Sequence, residues 1–173
     1  SKKNIKSCLK LMVNRGPDAQ NYRFHSEKKE NLYFLHTRLS IIDLHPRSNQ
    51  PFETNKTILV FNGEIYNYLE LKKQIKKFYK FKTNSDTEII SAFYEVYGEK
   101  CFKFFEGMWS IAIYDKLKKK LVLSRDRFGE KPLYFFKNKD GIYFASEIKV
   151  IKRLSSVKFE TNLLKIKKFL QFG

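Results

Sequence analysis

Apolar and polar positions change their period along this chain, and the changes come in a readable order. Residues 3–13, "KNIKSCLKLMV", set Ile5, Cys8, Leu9, Met12 and Val13 at helical spacing. "NRGPD" then stops the run, with Gly16-Pro17 as punctuation. "YRFHSEKKENLYFLHTRLSII" reads as two strands joined by a polar tip from Glu27 to Asn31, and "DLHPRSNQPFETN" as a long polar loop. "TILVFN" predicts a buried strand, and "YNYLELKKQIKK" a helix that turns Tyr68, Leu71 and Ile75 inward. "SDTEIISAFYEVYG" predicts a second helix, with Ser85 as N-cap, Glu88 in a capping box and Gly98 at the far end. The period then becomes two: "MWSIAIYD", "KLVLSRD", "PLYFFKN" and "GIYFAS" read as four strands with hairpin tips at 115–119 and 138–141. "EIKVIKRL" and "NLLKIKKFLQFG" close the chain as short helices. Antiparallel strands with helices between them predict an α+β fold of sheets layered with helices. Strong βαβ alternation is missing, so a parallel dinucleotide fold is not proposed.

Composition narrows the class. The 173 residues are 42% hydrophobic and 31% charged, enough for one folded unit with a real core. No apolar run reaches membrane-spanning length, and "SKKNIKSCLK" has no signal-peptide core, so the expectation is a cytoplasmic protein without membrane contact. Cys8 and Cys101 stand far apart with no CxxC or Cys/His cluster, so no metal site is expected and both read as small buried hydrophobes on helices. A net charge of +17 raises nucleic acid as a partner. Lysine carries most of it in scattered groups such as Lys72, Lys73, Lys76 and Lys77. Nucleic-acid readers favour arginine for bidentate contacts. The lysines are read as solvated faces, and polyanion binding stays as a rival class.

Three polar features break local rules. Asn62-Gly63 follows a β-branched apolar run; its plain reading is a tight turn, and its functional one is a side-chain N–H and a backbone N–H aimed at a developing oxyanion. Arg38 at a strand end is either an internal ion pair or a fork for a carboxylate. Asp86 is either a helix cap or an anion for a substrate ammonium. Carboxylate grip, ammonium grip and oxyanion donors together describe a pocket for an α-amino acid that reacts at a carbonyl.

The blocks "RGPD" (15–18), "TRLSIIDL" (37–44), "FNGEIYNYLEL" (61–71) and "SDTEII" (85–90) resemble class II glutamine amidotransferases. "FEGMWSIAIYD" (105–115), "SRDRFGEKPLYF" (124–135) and "FASEIKVI" (144–151) narrow the resemblance to the N-terminal domain of glutamine-hydrolysing asparagine synthetases. The resemblance implies the N-terminal-nucleophile αββα sandwich, two antiparallel sheets between helical layers. It assigns Arg38 to the glutamine α-carboxylate, Asn62 and Gly63 to the oxyanion hole, and Glu64 and Asp86 to the α-ammonium. The backbone of Leu39 and Ile41 would line the pocket, and "RDRFGEKP" would be architectural.

The family's nucleophile is a cysteine exposed as the first residue, with its own α-amine as base; an α-amine with a pKa of about 7.7–8.0 suits that role. This sequence opens with Ser1-Lys2-Lys3 at the first helix, so the family's first strand is expected to be missing. Ser1 aligns with a helix start and Cys8 sits mid-helix, so neither is taken as a substitute. Asn14 replaces the histidine usual before "RGPD". Residues 1–155 are then an N-terminally truncated amidotransferase domain, and 156–173 a linker helix towards an absent synthetase domain that would bind ATP and Mg. Expected partners are L-glutamine and that domain, with a homodimer as one open assembly. The expectation is that the chain alone does not hydrolyse glutamine. The alternatives are a nucleophile-less glutamine-binding or docking module, and an amidotransferase acting on another acceptor such as a sugar.

Overall fold

The computed structural model describes residues 2–27 and 30–172, so the expectation for Ser1 lies outside the described residues. Helix α1 (Lys2–Met12) leads through a 3-10 turn into the hairpin β1 (Ala19–Glu27) and β2 (Glu30–Arg38). A short strand β3 (Phe52–Glu53) lies inside the stretch expected as loop. It edges a four-stranded antiparallel sheet with β4 (Thr57–Ile65), β5 (Gly107–Asp115) and β6 (Lys120–Arg125). Helices α2 (Tyr68–Ile75) and α3 (Asp86–Tyr97) connect β4 towards β5. A second hairpin, β7 (Tyr134–Asn138) and β8 (Gly141–Ala145), is followed by α4 (Ile148–Ser155) and α5 (Leu163–Phe172).

The layers follow from the period-two pattern of the central sheet. Leu59, Phe61, Ile65, Ile111 and Ile113 face one way, into a core with Leu71 and Ile75 of α2 and Ile89, Ile90 and Phe93 of α3. Ile58, Ala112 and Tyr114 face the other way, against Phe34 of β2 and Phe144 of β8. On the outside of the hairpins α1 packs on β1 and β2, α4 packs on β7 and β8, and the two helices touch each other. The order is therefore helices, sheet, hairpin pair, helices, the expected αββα arrangement. β5 is buried along both faces, as a central strand must be.

Some local expectations need correction. Asn62-Gly63 is not a turn: β4 runs on to Ile65, and both residues pair with β5, opposite Ser110 and Trp109. The capping box is half made. Ser85 accepts from Thr87 N–H as expected, but the Glu88 carboxylate accepts from the Lys82 and Thr83 N–H groups instead of turning back to Ser85. Burial explains this, since Glu88 is inaccessible to solvent and the loop donors beside it need an acceptor. Cys8 sits on α1 as expected, whereas Cys101 lies in the 3-10 segment Gly98–Phe104; both are buried. The last helix, α5, buries no residue and leaves Leu163, Phe169, Leu170 and Phe172 exposed.

Candidate active site

A cleft of about 390 Å³ opens at one end of the sandwich, where the ends of β2 and β4 meet the start of α3. That is a small-molecule size. Arg38, Leu39, Ile41, Asn62, Gly63, Glu64 and Asp86 all line it. Seven residues picked from three separate stretches thus share one cavity.

Gly63 is the conformational key. Its φ is +154°, a region that side chains rarely adopt, and a Cβ there would stand 2.0 Å from the Met108 carbonyl oxygen. Alternate N–H groups of a strand point to the same edge. On β4 the Phe61 N–H donates to Gln50 Oε1 at 2.6 Å, and the Ile65 N–H donates to Asp86 Oδ2 at 3.1 Å. Gly63 lies between them with the same parity. Trp109, its partner on β5, has both backbone groups bonded to Asp126 instead: its N–H donates to Oδ2 at 3.2 Å, and its carbonyl accepts the Asp126 N–H at 2.9 Å. The Gly63 N–H therefore leaves the ladder and opens on the cleft. The Asn62 side chain points to the hairpin layer, where its Nδ2 donates to Ser146 Oγ at 3.2 Å, just after β8.

Asp86 is the first residue of α3, behind the Ser85 cap, and only 5% exposed. Burial pushes its carboxyl above the usual carboxylate range, against hydrogen bonds from Ile65, Thr87 and Ser85, and the nearby Glu64 adds to the rise. Two acids on one cleft wall, one of them desolvated, favour a cation between them.

Arg38 does something different from its expected fork. Its Nη1 donates to His45 O at 3.3 Å and Asn49 Oδ1 at 2.8 Å, and its Nη2 donates to the carbonyls of Ile42 and Asp43. Four of the five guanidinium N–H groups thus hold loop 39–49, and a bidentate carboxylate grip is not available in this conformation. The physical reason is burial: the side chain is enclosed, and loop carbonyls are the acceptors within reach. Asp43 stitches the same loop to the segment that leads into α3 by accepting the Asn84 N–H at 2.7 Å. "RGPD" frames the site from behind. Gly16 sits so close to β2 that a Cβ would meet the Thr37 backbone at 2.3 Å, and Asp18 accepts the Ser40 N–H at 2.7 Å.

Among the cleft residues that sequence reasoning did not pick are Arg15, His36, Gln50 and Lys131. Arg15 lies in the "RGPD" block, which carries the resemblance without a role of its own, and Lys131 in "RDRFGEKP", which the sequence reads as architectural. His36 and Gln50 carried no signal, since a lone histidine on a strand and a glutamine before proline are ordinary. Burial lowers the His36 pKa to about 4, partly offset by its bond to Phe61, so it is neutral near pH 7. Among the described residues, no group of three histidines, cysteines or acids could hold a metal ion.

A larger groove of about 1030 Å³ adjoins the cleft. Phe34 and His36 of β2, Val60 and Asn62 of β4, and Phe144 of β8 line it. The two hairpins each form a separate two-stranded sheet. The buried His36 Nδ1 and Tyr114 hydroxyl, both on the groove wall, have no hydrogen-bond partner.

Comparison with known families settles the fold's affiliation. A family profile described as "Glutamine amidotransferase domain" matches residues 1–173. The chain belongs to that family. It is 46% identical over 147 residues, 84% of its length, to asparagine synthetase [glutamine-hydrolyzing] 2 of Bacillus subtilis. It is 34% identical over 180 residues, 95% of its length, to a putative asparagine synthetase [glutamine-hydrolyzing] 2 of Methanocaldococcus jannaschii. The chain spans only 19% and 35% of these two relatives. Among solved structures, the glutamine phosphoribosylpyrophosphate amidotransferase of B. subtilis, complexed with ADP and GMP, superposes with a TM-score of 0.59 at 21% identity. That match covers 70% of this chain and 29% of the other, and it supports the amidotransferase fold. This chain is thus a glutamine amidotransferase domain of the kind found in asparagine synthetases.

Proposed function

We propose that this domain is the glutaminase of an asparagine synthetase: it releases ammonia from L-glutamine for the ATP-dependent amidation of aspartate elsewhere in the full-length protein. The observation that carries the reading is the Gly63 N–H, turned out of its ladder beside the Asn62 carboxamide in an amino-acid-sized cleft. Glu64 and Asp86 take the α-ammonium. Arg38 orders loop 39–49, so that the Leu39 and Ile41 backbone and its remaining Nε–H meet the α-carboxylate.

In the reaction a thiolate attacks the side-chain amide carbon. The carbonyl π electrons move to oxygen, and that oxyanion is held by the Gly63 N–H and by the Asn62 Nδ2 hydrogen that is not given to Ser146 Oγ. Collapse breaks the C–N bond, and the proton that the nucleophile's α-amine took from the thiol passes to the leaving nitrogen, which departs as ammonia. Water then cleaves the thioester to glutamate. Burial pushes the Cys101 thiol up to about 12 and raises that of Cys8, and neither lines the cleft. The nucleophile is therefore assigned to the family's cysteine-bearing strand, seated in the groove between the hairpins, with its two unpartnered polar atoms meeting backbone groups. Residues 156–173 lead to the synthetase domain, which would hold ATP and Mg; the exposed apolar face of α5 suits burial there.

The test is ammonia release from glutamine by the full-length polypeptide. Asn62→Ala lowers kcat by about 10²–10³-fold. Absence of glutaminase in the native protein, or an Asn62→Ala variant as active as the native protein, overturns the reading. The placement of both cysteines outside the cleft favours a second reading, a glutamine-binding module without a nucleophile. Glutamine binding by calorimetry with no turnover would select it.

A further inference from the structure

We infer that Gln50 and His36 are positioning residues for the oxyanion donors: they clamp the two peptide planes that precede Asn62. The inference rests on the glutaminase reading of the cleft.

β3 is only two residues long and pairs with Ile58 and Leu59. Beyond Leu59 no strand among the described residues pairs with the outer edge of β4. Buried backbone groups on such an edge need partners, and side chains supply them. Gln50, buried, takes the Phe61 N–H on Oε1 at 2.6 Å while its Nε2 donates to Thr87 Oγ1 at 3.3 Å on the first turn of α3. His36 Nε2 donates to the Phe61 carbonyl at 3.1 Å, which leaves Nδ1 as the bare nitrogen of a neutral ring. A peptide group is planar and rigid. Gln50 therefore fixes the Val60–Phe61 plane and His36 fixes the Phe61–Asn62 plane. On the far side Asp86 fixes the Glu64–Ile65 plane. Only the two planes that flank Gly63 lie between these anchors, and they carry the Gly63 N–H. Neither Gln50 nor His36 is needed to touch the reacting carbonyl. Their hold on Phe61 sets where the Asn62 Cα, its carboxamide and the next N–H stand. A misplacement of about 1 Å at such donors lowers a rate on the order of a hundredfold.

The experiment compares Gln50→Met, His36→Leu and His36→Gln with the native full-length protein. Methionine keeps the volume of Gln50 without its acceptor. Glutamine places an amide N–H near the position of imidazole Nε2, and leucine does not. Gln50→Met and His36→Leu are expected to lower kcat for ammonia release by about ten- to a hundredfold with KM for glutamine nearly unchanged, and His36→Gln to recover most of the loss. Hydrogen exchange read in parallel should show faster exchange at the Phe61 amide in Gln50→Met, with the β5 amides unchanged. Unaltered kcat in Gln50→Met and His36→Leu overturns the inference, as does exchange that quickens evenly across β4 and β5. If the native protein releases no ammonia, the glutaminase reading falls, and exchange alone judges the clamp: a Phe61 amide indifferent to Gln50→Met overturns it. If Gln50→Met does not fold, the His36 pair decides, and equal activity of its leucine and glutamine variants overturns the clamp.

Discussion

Replacing Gly63 by alanine tests the site and the sheet together. The added methyl would stand 2.0 Å from Met108 O, 2.8 Å from Trp109 Cα and 2.9 Å from Met108 C, where ordinary contact begins near 3.4 Å. All three are backbone atoms of the paired strand, so no side chain can swing aside. Relief requires β4 and β5 to part by about 1.4 Å, and these two strands are the centre of the sheet. The backbone conformation alone disfavours alanine by about 1–3 kcal/mol, and forced separation of packed strands adds about 2 kcal/mol more. Gly141 supplies the control: its φ is +148°, nearly that of Gly63, but a Cβ there meets nothing within 4 Å. Gly141→Ala should therefore show the conformational penalty without the clash. The assay is the free energy of opening from hydrogen exchange of the β4 and β5 amides in the native protein and both variants. Gly63→Ala should be lower than Gly141→Ala by about 2 kcal/mol or more and should also lose glutaminase activity. Equal opening energies within about 1 kcal/mol would refute the close approach to Met108.

Two further outcomes follow from buried groups. His36 has its pKa lowered to about 4 by burial, while an unfolded histidine titrates near 6.5, so the unfolded chain takes up the proton first. Its stabilising contribution is intact above pH 6.5 and declines as pH falls from there towards 4; denaturant midpoints across that window should flatten in His36→Gln, and an unchanged slope would contradict the assignment. Cys8 and Cys101 are buried thiols with raised pKa values, so iodoacetamide should leave both unmodified in the native fold and Cys→Ala at either should preserve kcat. Rapid labelling of either, read by peptide mass, would refute their burial.

Much of this protein was determined by sequence alone. Periodicity located α1, the strands β4 to β8 and the caps of α3, because a helix or strand with one buried face repeats its apolar residues at its own period. The motif blocks carried the family, and with it the residues that meet in the cleft. Tertiary structure decided the rest. Asn-Gly is a turn dipeptide by local preference, yet Gly63 is held inside a strand because β5 approaches where only a bare Cα fits. Arg38 looked like a ligand fork because sequence shows its charge and not its acceptors; loop carbonyls from Ile42, Asp43 and His45 fold around it. Gln50 and His36 gave no signal at all, since their importance lies in one unpaired strand edge, and which backbone groups a fold leaves without a partner is set only when the strands are laid side by side.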